Sequence, residues 1–84
     1  MDRGTKRRQR NETARLGALL RDLRVRAGLR QTDLAERIGR PQQYVSSYET
    51  GDHRLDLFEL GEVCRVLGRS LEQVVREYER RRAE

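Results

Sequence analysis

Three observations predict an all-α domain of five short helices. Apolar residues recur at spacings of three and four through most of the chain, the period of a helix that buries one face. Glycines at 28, 39, 51 and 68 interrupt that pattern at intervals suited to helix ends. No stretch alternates apolar and polar residues as a strand does, and no segment repeats. At 84 residues the chain has material for one core only.

The elements follow in order. Residues 1–12 lack apolar side chains apart from Met1 and read as a basic, mobile arm. The domain proper is expected over 13–78. A first helix starts near Thr13 with Leu16, Leu19, Leu20, Leu23 and Ala27 on one stripe, and Gly28 stops it. A second, Gln31 to Ile38, turns Leu34, Ala35 and Ile38 inward and carries Asp33 and Glu36 where the helix dipole favours acids. Pro41 suits the first turn of a third helix, in which Val45 and Tyr48 face inward and which ends at Gly51. Asp56 is the expected N-cap of a fourth helix with Leu57, Leu60, Cys64 and Leu67 on its stripe. Ser70 and Gln73 have the spacing of a capping box for a fifth, with Leu71, Val74, Val75 and Tyr78 inward. Residues 79–84 are charged except for Ala83, and fraying is expected there.

Charge and composition narrow the function. Residues 1–10 hold Arg3, Lys6, Arg7, Arg8 and Arg10 against Asp2, which is +4 of the chain's net +5. A cationic arm suits a polyanion. Eighteen of the 19 basic residues are arginine, which pairs bidentately with phosphate and guanine, although codon bias produces the same excess. With no tryptophan and 5% aromatics, there is little from which to build an apolar cofactor pocket. No nucleophile–base constellation or metal-ligand spacing is present, so no enzyme activity, cofactor or metal is expected. The single cysteine, Cys64, excludes a disulfide within the chain and falls on the apolar stripe as a small core residue. No apolar run reaches the ~20 residues of a membrane span, and the expected compartment is the cytoplasm, in association with the nucleoid.

The second and third helices are joined by little more than Gly39 and Arg40, the compact linkage of a helix-turn-helix unit. Ala35 supplies a small residue at the crossing, Gly39 a residue tolerant of positive φ, and Val45 a branched apolar anchor. Over Leu16 to Val75, through LGALLRDLRVRAGLRQTDLAERIGRPQQYVSSYETG and LDLFELGEVCRVLGRSLEQV, the sequence resembles the Cro/repressor, or XRE-type, helix-turn-helix family of bacterial and phage regulators. That resemblance implies a five-helix, lambda-repressor-like DNA-binding domain in which the third helix reads the major groove.

The resemblance also implies roles for residues. Gln42 and Gln43, with Ser46 and Ser47 one turn later, match base-facing positions; glutamine and serine donate and accept without placing an acid beside phosphates. Taken without the resemblance, the glutamines are equally well ordinary exposed helix residues. Gln31 matches a phosphate-binding glutamine that braces the reading helix, and Arg24 with Glu49 a structural ion pair. Arg30 and Arg40 are assigned to phosphates. So is Arg54, preferred to His53, because Asp52 stands where the family often has a cation. Tyr44 is divided equally between phosphate or sugar contact and cover for the core edge. Lys6, Arg7, Arg8 and Arg10 are assigned to the DNA backbone, and Pro41 stands where the family often has a serine or threonine cap.

The implied function is a sequence-specific, double-stranded DNA-binding transcriptional regulator, a repressor on a pseudo-palindromic operator, acting as a homodimer through Leu71, Val75 and Tyr78. The alternative is an antitoxin or restriction-modification controller whose main partner is another protein, a toxin or other regulator, with DNA binding as autoregulation. A third reading, an interaction or RNA-associated module that kept the fold without base reading, is also compatible with the fold.

Overall fold

The computed structural model describes residues 3–84, so Met1 and Asp2 of the expected arm lie outside the described residues. Five helices follow one another: α1 (Arg3–Arg26), α2 (Gln31–Ile38), α3 (Gln42–Thr50), α4 (Leu57–Val66) and α5 (Leu71–Ala83). Among the described residues there is no strand. One core joins all five, built from Leu19, Leu20 and Leu23 of α1, Leu34 and Ala35 of α2, Val45 and Tyr48 of α3, Leu60, Val63 and Cys64 of α4, Leu67, and Val74 of α5.

Local signals account for most boundaries. Asp56 accepts from the Glu59 N–H at 2.7 Å while the Glu59 carboxylate accepts from the Asp56 N–H at 2.8 Å, closing a capping box at the start of α4. Ser70 and Gln73 do the same for α5. At the start of α2 the Asp33 carboxylate accepts from the Arg30 backbone N–H at 2.8 Å.

Several expectations are corrected. Helix α1 begins at Arg3 instead of Thr13, so the boundary expected after residue 12 lies inside a continuous helix. Arginine, lysine, glutamine and glutamate are good helix formers, and residues 3–12 contain no proline. Glu12 then anchors this segment to α5 by accepting a hydrogen bond from the Tyr78 hydroxyl and pairing with Arg82 at 3.4 Å. The tail expected to fray instead continues α5 to Ala83, because its arginines find acids: Arg81 pairs with Asp22 at 3.0 Å and Arg80 with Glu77. Ala27 falls beyond the end of α1 and is exposed. Leu57, placed on the core stripe of α4, is 68% exposed on the outer side of its first turn. Val75, expected inward on α5, is 43% exposed, and Val74 takes the core position. Val63, unnoticed in the sequence pattern, is wholly buried.

Candidate nucleic-acid interface

The turn between α2 and α3 is built by Gly39, whose φ of 70° is open to glycine at little cost and whose N–H closes α2 onto the Glu36 carbonyl. Pro41 is the N-cap of α3, with φ −65° and no side-chain capping bond. The first N–H groups of α3 are therefore left without a side-chain acceptor, and its first turn carries no acid. That helix start is electropositive.

A chain of polar side chains runs from α1 to this helix start. Arg24 donates through Nε to Glu49 Oε2 at 2.7 Å and through Nη2 to Oε1 at 3.0 Å, and its Nη1 donates to the Leu29 carbonyl. Both partners are buried. The hydrogen bonds it donates to Glu49 raise the guanidinium's pKa. Glu49 Oε1 also accepts from Gln31 Nε2 at 3.0 Å, and Gln31 Oε1 accepts from Gln42 Nε2 at 3.2 Å. The polarity of this chain is forced, because an ionised carboxylate only accepts. Gln31 must present its amino group to Glu49 and its carbonyl to Gln42, which leaves the Gln42 Oε1 and one N–H on each amide free to face outward. The structure thus brings Arg24, Glu49, Gln31 and Gln42 together.

The other residues singled out by the sequence are placed as follows. Gln43, exposed, donates to Ser47 Oγ at 3.0 Å one turn later, and Ser46 lies half-buried beside Ser47. Arg30 is turned back on Asp33, with two guanidinium bonds of 3.2 Å that hold that carboxyl below its usual range. Arg40 lies over the Tyr44 ring, 4.7 Å from its centroid, and 3.8 Å from Glu62. Tyr44 packs edge-on to Tyr48 and against His53, and burial followed by the charge of Glu59 pushes its phenol up to about 12. Its ring therefore covers the core edge. Arg54 is exposed and has no acid partner among the described residues. Lys6, Arg7, Arg8 and Arg10 are exposed on α1, with Arg8 on the side that shares a groove with Arg54 and Leu55. Leu71 and Tyr78 are half-buried against the core of their own chain, leaving Val75 as the exposed one of the three.

One positioning residue escaped the sequence reading. A Cβ added at Gly17 would lie 2.3 Å from the Tyr48 carbonyl oxygen and 2.6 Å from that of Glu49. Here α1 and the end of α3 approach backbone to backbone, and the preceding turn of α1 meets Gly51, where a Cβ would come within 2.9 Å of the Ala14 Cα. The signal was present as a glycine inside a helical apolar stripe. Cys64 is buried, and burial pushes its thiol pKa up, away from nucleophilic reactivity. Among the described residues no group of His, Cys, Asp and Glu has the arrangement to hold a metal, and no helix is long and apolar enough to cross a membrane.

Residues 15–77 match the family model of a helix-turn-helix domain. Among solved structures, the chain is similar to an XRE-family like protein from Pseudomonas syringae pv. tomato, at 35% identity over 93% of this chain and 95% of that one, with a TM-score of 0.81. It is also similar to the clp gene regulator ClgR from Corynebacterium glutamicum, at 33% identity over 86% of this chain and 76% of that one, with a TM-score of 0.78. A second structure of ClgR gives 34% identity over 81% and 86%, with a TM-score of 0.74. No curated protein sequence matches the chain.

Proposed function

The chain belongs to the XRE-type helix-turn-helix family of DNA-binding transcription regulators, and from that premise we propose that it is a sequence-specific repressor that occupies a pseudo-palindromic operator as a dimer. In this reading α3 enters the major groove, Gln42, Gln43, Ser46 and Ser47 meet base edges, and Gln31, Arg54 and the cations of α1 meet phosphates.

The observation that carries it is the chain Arg24–Glu49–Gln31–Gln42. A buried charge pair at one end fixes an exposed amide at the other, with an acceptor and a donor facing out. Adenine presents the complementary pair, N6–H donating and N7 accepting, on its major-groove edge. The neighbouring Gln31 N–H supports the same pose by reaching a phosphate at the helix start. Arg30 and Arg40 have part of their charge met by Asp33 and Glu62, so Arg54, which has no acid partner among the described residues, carries the larger share.

Selection of bound sequences from a random duplex pool at two salt concentrations tests the proposal. The wild-type chain is expected to enrich a two-fold symmetric motif. Gln42→Ala should erase the preference at one base pair per half-site, a loss of ~1–3 kcal/mol in discrimination. Gln43→Ala should erase it at a neighbouring pair. Salt-sensitive binding with no enriched motif would overturn sequence reading and leave only an electrostatic DNA binder.

A further inference from the structure

One apolar patch is covered by none of the described helices. Leu57 and Phe58 on the first turn of α4 are 68% and 71% exposed, and Phe58 is the single phenylalanine in the sequence. Gly61 follows on the same face, three and four residues on. A Cβ added there would meet nothing within 4 Å. Glycine inside a helix is unfavourable relative to alanine, and no neighbour among the described residues requires it here. A bare stretch of backbone therefore stands beside a large exposed ring. Arg65, exposed and without an acid partner among the described residues, extends the face toward the end of α4.

We propose that a second copy of this chain covers the patch, with α4 crossing α4 antiparallel about a two-fold axis. A contact of that symmetry needs a surface complementary to itself. An antiparallel crossing centred near residue 60 sets Phe58 of each copy onto the exposed backbone at the partner copy's Gly61. Ring meets notch, twice. The face on α5 offers less, since Leu71 and Tyr78 are already packed against their own core and only Val75 is exposed. The inference rests on the DNA-reading proposal for one argument: only residues 51–56, with Arg54 among them, separate α3 from the patch, so a copy docked there brings a second reading helix alongside the first. Two side chains and a glycine fall short of the ~800 Å² per partner of a standard interface. The pair is therefore expected to be weak in solution and tighter on DNA.

Sedimentation equilibrium of the full chain, alone and with a duplex enriched by selection, tests this. Phe58→Ser and Gly61→Leu, each checked for folding by circular dichroism, should raise the monomer–dimer midpoint at least ten-fold, while Val75→Ser should leave it within two-fold. A dimer weakened by Val75→Ser and untouched by Phe58→Ser would overturn the assignment in favour of α5. A chain that stays monomeric both alone and on duplex would overturn the second copy as occupant. A dimer sensitive to Phe58→Ser in a chain that selects no DNA motif would leave this inference standing and remove the DNA reading.

Discussion

The buried pair Arg24–Glu49 sets the sharpest stability contrast among single residues. Its members are 10% and 2% exposed at the side chain, so removing one leaves the other charge buried and uncompensated. Glu49→Ala is expected to cost ~3–5 kcal/mol, and Arg24→Met nearly as much. Arg76 and Glu72, 77% and 80% exposed, form a surface pair for which Arg76→Ala should change the melting temperature little. Thermal melts of the variants, followed by circular dichroism, check the contrast. Gly17→Ala acts without any charge. The new methyl cannot share space with two carbonyl oxygens at 2.3 and 2.6 Å, so α3 must move away from α1. The expected result is a loss of ~1–3 kcal/mol in stability, with a weakened motif in selection, because the Glu49–Gln31–Gln42 chain moves with α3.

At the scale of elements, stability should depend on acid pH through the caps and the α1–α5 braces. The Asp56 N–H depresses the Glu59 carboxyl, and Arg30 depresses Asp33. Tyr78 depresses Glu12, and Arg80 depresses Glu77. Each folded-state value lies below the unfolded one, so the unfolded chain binds more protons in the interval between them. The stabilisation is complete above the unfolded range, about pH 4.5, and drains away as pH falls through the lowered folded values. Melting temperature should hold steady from pH 8 to about 5.5 and fall below about 4.5, with Glu59→Gln flattening part of that fall. Asp56→Ala should cost ~1 kcal/mol at neutral pH as the first turn of α4 loses its acceptor. The caps at Asp56 and Ser70 were legible in the sequence because a cap and its partner three residues on are local, whereas the Arg30–Asp33 bond was not, an arginine being no usual cap. The start of α1 and the end of α5 were not. Their helices lack an apolar stripe there and are held by Glu12–Tyr78 and Asp22–Arg81, pairs 66 and 59 residues apart that no local pattern announces.

For the whole molecule, the five-helix order and most of the core were readable from the 3.6-residue period, and the family resemblance supplied the pairing of Arg24 with Glu49. Which apolar residues stay outside was not readable. Leu57 shares its stripe with Leu60 and Cys64, and only the packing of α2 and α5 on α4 decides that the first turn is left uncovered. The same gap affects the cations of α1. As a tail, Lys6, Arg7, Arg8 and Arg10 would all reach phosphates at once, each adding ~0.9 to the slope of log affinity against log salt. As a helix they diverge. Lys6, Arg7 and Arg10 share one side of α1, and Arg8 turns toward the groove it lines with Arg54 and Tyr78. Deleting residues 1–10 should therefore lower the slope by less than the ~3.6 that four phosphate contacts would add, with Arg8→Ala and Lys6→Ala acting on different phosphates. Binding of the selected motif in a salt titration measures this. An unchanged slope would mean that the cationic turns of α1 stand clear of the DNA, and that Arg54 with the start of α3 supplies the electrostatic attraction.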